Sequence, residues 1–545
     1  MIIAATIVGS GELIGTTKTG AQAGMPLLWL IIAGCLIKVF SQVELGRYAI
    51  SSGETTLTAL NRVPGPRFIV NWIVWYWLLM MLSGFGQLGG IVGGVGQALS
   101  LSMPITGDYS KAIACPSVTE LKYFLAWSDD IKAGETRLLT LPEAEQRRVK
   151  RSVQVIQDRL DILEKMEPGR PERSLNVVRD VIKAEKSASA DGRAIGTDPE
   201  VARTRKEAGS VVDPPTRDDK YWSIAVAIVT VFLLLNGRYG LIQNFSTVLV
   251  VAFTFITIGN VFSLQLKPEF AIPVTDILAG LIPSLPEPGI APPELPVWNS
   301  VRPLATALAT FGIIGVGASE LVSYPYWCLE KGYARHVGPK DGSPEWYRRA
   351  SGWVGVMKWD AFCSMLVYTA ATLAFFFMGV AVMYQQGLDP EGMRMMSTLL
   401  EQYVPVFGEH ARWLFLIGAF AVLYSTFLVA NAGYTRMYTD CFKLLGLIRR
   451  DDAQAHRRSV AGLAVVLPLI ALAVYCLGFN PDKLVLLGGT MQAIMLPMLG
   501  LAALYLRFTK TDAELRPGRV WDVCLVISFI GLLVAGGWGA WSSLK

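Results

Sequence analysis

Runs of about twenty apolar residues recur from one end of this chain to the other, and they constrain its fold more than any other feature. A run of that length crosses the hydrocarbon of a bilayer as a helix, and only helices or closed barrels satisfy their backbone there. Composition agrees: 52% of residues are hydrophobic and only 17% are charged, a leaner charge content than soluble domains carry. The chain therefore reads as an all-α polytopic membrane protein with the lipid bilayer as its first partner. Eleven spans are expected near 2–23, 26–46, 68–102, 221–236, 240–264, 303–328, 353–384, 410–435, 460–478, 483–507 and 520–542. Trp72, Trp75 and Trp77 at the start of the third have the look of an interfacial belt.

Basic residues set the orientation. With the N-terminus cytoplasmic, the inside loops hold Arg47, Arg62 and Arg67, then Arg238, then Lys331, Arg335, Lys340, Arg348 and Arg349. Further along they hold Lys443, Arg449, Arg450, Arg457 and Arg458, then Lys510, Arg516 and Arg519. The outside loop 385–409 leans acidic. The C-terminus then falls outside, as in a protein of a bacterial inner membrane. No cleavable leader is read at the start, because no basic segment precedes the first apolar run. A span that opens at Met1 points to further residues upstream in the working protein.

Several chemistries are disfavoured. The net charge of +5 follows from where the loops lie and implies no nucleic-acid partner. The seven cysteines and three histidines (His336, His410, His456) are scattered, without metal-ligand spacing or a disulfide framework. No phosphate-binding glycine loop followed by Lys-Ser/Thr occurs, and no nucleophile–base pairing stands out. The chain is not expected to be an enzyme or to hold a permanent cofactor.

Residues 107–220 break the apolar pattern and divide the chain into spans one to three (1–106), a polar insertion, and spans four to eleven (221–545). By the loop count the insertion is extracytoplasmic. Val149, Val153, Ile156, Leu160 and Leu163 recur at alternating four and three, a stripe that predicts an amphipathic helix. A second helix is expected over 173–186, and 187–219 are expected to be flexible. The insertion reads as a helical cap or spacer, or as a docking domain for an unknown partner.

Two spans carry a carboxylate where hydrocarbon should be. "IVGSGELIGTTKTG" (7–20) places Glu12 among Gly9, Ser10, Gly11 and Gly15, and "IGVGASELVSYP" (314–325) places Glu320 beside Gly317, Ala318 and Ser319. A charged side chain in a span costs a few kcal/mol (~3) unless it faces a cavity, a partner or an ion. Gly9-Ser10-Gly11-Glu12-Leu13 aligns with Gly317-Ala318-Ser319-Glu320-Leu321, in spans one and six. Glycine-interrupted helices at corresponding places in two halves point to a transporter site between inverted repeats. Glu12 and Glu320, with the backbone and hydroxyls of Gly9, Ser10, Gly11, Ala318 and Ser319, are the candidate ligands of a hard cation. A titrating glutamate could also couple cation binding to proton release. The alternative is a structural ion pair, with Lys18 and Lys38 as partners. Thr16, Lys18, Ser425 and Thr426 are further candidates for the cavity or for coupling, although span hydroxyls commonly bond their own helix.

The chain resembles the Nramp family of divalent-metal transporters. The resemblance lies in "GAQAGMPLLWLIIAGCLIKVFSQVELGRYAISSG" (20–53), "LLLNGRYGLIQNFSTVLVVAFTFITIGNVFSLQL" (233–266), "DILAGLIPSLP" (276–286), "GIIG" (312–315) and "DKLVLLGGTMQAIMLPMLGLAAL" (482–504). It covers everything except the insertion. It implies a LeuT-type fold of two inverted five-helix repeats plus an eleventh span. It also implies transport of a metal cation such as manganese, iron or magnesium coupled to proton movement; the candidate coupling ion here is a proton or sodium. The site motifs depart from the family. Its Asp-Pro-Gly-Asn motif becomes Gly9-Ser10-Gly11-Glu12, and its Met-Pro-His motif becomes Ser319-Glu320-Leu321. The family's third-span acids fall on Gly86 and Gly89, and its tenth-span glutamine on Gly489. Losing the thioether favours a harder ion. Two other readings are an organic-solute symporter for an amino acid or amine, which Lys18 favours, and a non-transporting sensor.

Overall fold

The computed structural model describes residues 8–132, 138–236, 239–286, 303–449 and 451–544. Met1, Arg238 and Arg450, used above for the N-terminus and for orientation, lie outside them. Among the described residues nine helices are long and apolar enough to cross a membrane, from Met25–Ser52 to Arg519–Ser542. The first and fourth spans complete the eleven. The described part of the first is a π-helical turn, Gly11–Thr16, running into an α-helix, Thr17–Ala23. The fourth, Asp218–Asn236, opens with Asp218, Asp219 and Lys220.

Local sequence explains the boundaries. The Asn71 side chain accepts the Ile73 N–H at the start of the third span, Trp72–Ser102. Ser343 does the same for Trp346 at the seventh, Pro344–Met378, and Asp452 for Ala455 at the ninth, Ala453–Cys476. The third span is the central post and packs against the fourth, eighth, ninth and tenth. Small residues permit this: a Cβ on Gly90 would strike the Pro481 carbonyl, and one on Gly96 the Asp219 carbonyl. The sixth span is two helices, Pro303–Ile313 and Ala318–Glu330, with a non-helical link at 314–317. Gly315 in that link has φ +60°, a backbone region that glycine enters without steric cost. The first half of the sixth span packs on the tenth span, Pro481–Tyr505, and on the π-helical turn of the first.

The insertion holds five helices among the described residues: Asp108–Ala114, Val118–Lys132, Glu143–Met166, Arg170–Ala190 and Pro199–Val212. The predicted stripe is its spine. Ile156, Leu160 and Leu163 are buried in one apolar cluster with Leu121, Phe124 and Val178. Residues 187–219, expected to be flexible, instead contain the helix Pro199–Val212. Asp198 caps it by accepting the Glu200 and Val201 N–H groups, and Val201, Ala208 and Val212 are buried. Its apolar residues are too few to show in composition but fall on one face.

The insertion is fastened to the membrane part at defined points. The Arg394 guanidinium is buried, donates to the Val212 carbonyl at 3.1 Å and pairs with Asp213 and the Cys115 carbonyl. The Tyr109 hydroxyl donates to the Met393 carbonyl at 2.7 Å, and Ser152 to the Gln386 carbonyl at 2.8 Å. Arg394→Ala removes the donor shared by Asp213 and the Val212 and Cys115 carbonyls and is expected to loosen this joint by about 1–3 kcal/mol. Hydrogen exchange should then rise at 105–115 and 386–394 while the spans keep their protection; unchanged exchange at both segments would show that the clamp carries no stability.

Candidate metal-transport site

Glu12 lies in the π-helical turn of the first span and is wholly buried. Its Oε2 accepts the Gly9 N–H at 2.9 Å and its Oε1 accepts the Gly315 N–H at 3.0 Å. One carboxylate therefore ties the first break to the second. Lys38, on the second span and equally buried, supplies the complement. Its ammonium donates to the Ile314 carbonyl at 2.8 Å and to the Phe311 carbonyl. Helix ends leave such groups without intrahelical partners, and hydrocarbon offers none. The breaks also touch directly, since a Cβ on Gly11 would sit 2.8 Å from the Ile313 carbonyl oxygen.

Glu320 stands in the first turn of Ala318–Glu330, where a helix N-terminus favours negative charge. The Ser319 hydroxyl lies 2.8 Å from Glu320 Oε2 and 3.0 Å from Gln492 Oε1, and its one proton serves one of them at a time. Gln492 Oε1 also accepts the Ser319 N–H at 3.0 Å, and its amide donates to Gln87 Oε1 at 2.7 Å. A small cleft of about 30 Å³, room for roughly two waters, runs from Glu320 between the sixth span and the eighth, Ala411–Leu444. Ser323, Trp327, Thr426 and Tyr434 line it.

The expected residues separate into two groups. Gly9, Gly11, Glu12, Ala318, Ser319, Glu320 and Thr426 gather at the breaks; a Cβ on Gly9 would overlap the Thr426 hydroxyl. Ser10 is buried beside them and makes no capping bond. Thr16, Ser425 and Thr426 bond backbone of their own helices, at Gly11 and Val422. Lys18 is elsewhere. It pairs with Asp389 at 2.8 Å and Asp482 at 3.4 Å and donates to the Pro390 carbonyl, in the loop that the insertion contacts. No ion pair joins it to Glu12 or Glu320. Among the described residues no three His, Cys, Asp or Glu side chains gather as a metal cluster, so a bound cation would draw on neutral oxygens as well. Gln492 was missed by the sequence reading, which put the tenth-span position on Gly489, one turn earlier. A glutamine inside an apolar run was the available signal.

Two outcomes are expected. Glu12→Gln replaces one acceptor oxygen with an amide donor facing a backbone N–H, and should lower stability in detergent by about 1–3 kcal/mol. Glu391, in the loop that carries Asp389, is held up to about 7 from an ordinary 4.5 by burial and then by Asp389, against Lys18, with Asp482 raising it and Thr119 lowering it. The packed loop thus binds more protons than a released one between those values. Packing should tighten as pH falls from about 7 towards 4.5 and change little above 7. Exchange of the 386–394 amides across that range reads this out, and Glu391→Gln should flatten the dependence.

The comparisons bear on fold and family. Over 98% of its length the chain superposes on a mutant of the manganese transporter of Eremococcus coleocola, covering 84% of that chain, with TM-score 0.57 and 15% identity. Two further mutants of the same transporter give TM-scores of 0.56 and 0.55 at 15% and 14% identity, with the same coverage of both chains. The fold is the LeuT type, with two inverted five-span repeats and an eleventh span. No curated protein sequence matches the chain. The model of the Nramp family, natural resistance-associated macrophage protein-like, matches residues 216–542, and the chain belongs to that family.

Proposed function

We propose that this integral, multi-pass membrane protein is a secondary-active transporter of a divalent metal cation. It works by alternating access, driven by a coupled proton gradient. The observation that carries the reading is the pairing of a cleft with a seal. The cleft reaches Glu320 from one side of the membrane, and Lys18 with Asp389 and Asp482 closes the other. On the orientation read from the basic loops, the cleft faces the cytoplasm, the seal and the insertion face outward, and the C-terminus lies outside.

In this reading Glu320 is the carboxylate that meets the cargo, with Ser319, Gln492 and backbone oxygens completing the shell. Glu12 contributes its charge while its two oxygens hold the breaks in register. The family's manganese-transporting member supports a metal as cargo, and the oxygen-rich donors favour a hard one such as manganese or magnesium. Lys18, the feature that favoured an organic solute, is engaged in the seal.

Flux in proteoliposomes loaded with a divalent-sensitive dye tests this. Mn²⁺, Mg²⁺, Ca²⁺ and Co²⁺ are added outside, and wild type is compared with Glu320→Gln and Glu12→Gln. Uptake of at least one ion is expected, reduced about 100-fold or more by Glu320→Gln. A folded protein that moves no ion would retire the metal reading in favour of an organic solute or a sensor.

A further inference from the structure

The sixth-span break exposes carbonyl oxygens at membrane depth, and one side chain has claimed them. Lys38 approaches from the second span with no exposure to solvent. Its ammonium lies on the carbonyls of Phe311 and Ile314 and 4.8 Å from the Phe311 ring centroid. The carboxylates of Glu12 and Glu320 attract it electrostatically, yet its hydrogen bonds go to neutral oxygens. Two backbone carbonyls and an aromatic face, close to fixed negative charge, are the surroundings that bind a small monovalent cation. We propose that Lys38 is a tethered substitute for such a cation, so that the break needs no sodium and the cargo meets a site whose charge is already partly balanced.

This deepens the transport reading but depends on it only in the flux arm of the test. A purely structural lysine and an ion substitute differ in one respect: only the second can be replaced by a free ion. Removing the ammonium orphans carbonyls that hydrocarbon cannot satisfy. A cation of the right size would restore them and stabilise the protein by mass action.

The experiment is thermal melting of the purified full chain, as wild type, Lys38→Met and Lys38→Gln. Each is measured in lithium, sodium, potassium and choline chloride at equal concentration. Wild type should melt alike in all four. Both variants should melt lower in choline and recover by several degrees in one of the small cations. In proteoliposomes, metal uptake by the variants should be about tenfold higher with that cation than with choline, while wild type is indifferent. Stabilisation without flux would uphold the inference and count against the transport reading alone. A wild type that melts higher in sodium than in choline, or variants destabilised equally in every salt, would overturn it. A variant that folds in none of the salts counts with the second result.

Discussion

A backbone group without a partner is costly in water-free surroundings, and two interrupted helices place several of them at the middle of this protein. The chain meets that cost with one buried carboxylate and one buried ammonium. Glu12 takes N–H groups from both breaks and Lys38 takes carbonyls from the second. The carboxylate and the ammonium come from different spans, so the first, second and sixth spans are registered against one another by charge as well as by packing. The close approach of Gly11 to Ile313 follows from that registration.

The polar insertion belongs to the same argument. It folds around its own apolar cluster, yet its fasteners converge on the loop that holds the Lys18 partners. Asp389 receives Lys18 and Gln22 together, and Asp482 accepts the Gly392 N–H. This face of the membrane domain is thus a layered structure, with the first and tenth spans beneath, the loop between, and the helical insertion above.

The architecture was legible because hydrophobic run length is a strong signal and because the two Gly/Glu stretches announce their own symmetry. The helix at 149–163 was legible for the same reason, a period that leaves one face apolar. Lys18 and Lys38 were seen as charges at span depth, but sequence alone does not say which partner each one finds. Lys18 meets Asp389 from a loop 371 residues away and Asp482 from the start of the tenth span, and Lys38 meets carbonyls, which no pattern of side chains can reveal. Pro199–Val212 was misjudged because its stability comes from Asp198 at one end and three small or branched residues on one face. Gln492 sits one turn from the expected position, a displacement that ungapped register cannot detect.

The stem of the insertion has its own consequence. Both Asp218 carboxylate oxygens accept N–H groups at the other end of the segment, Ile105 and Gly107 on one and Thr106 on the other, although Asp218 follows Thr106 by 112 positions. Entry and exit therefore share one point, and the segment closes on itself before the fourth span begins. A graft of this kind changes neither the order nor the direction of the helices beneath it. The link between the third and fourth spans is thereby as short in space as a tight loop, whatever length of chain hangs from it.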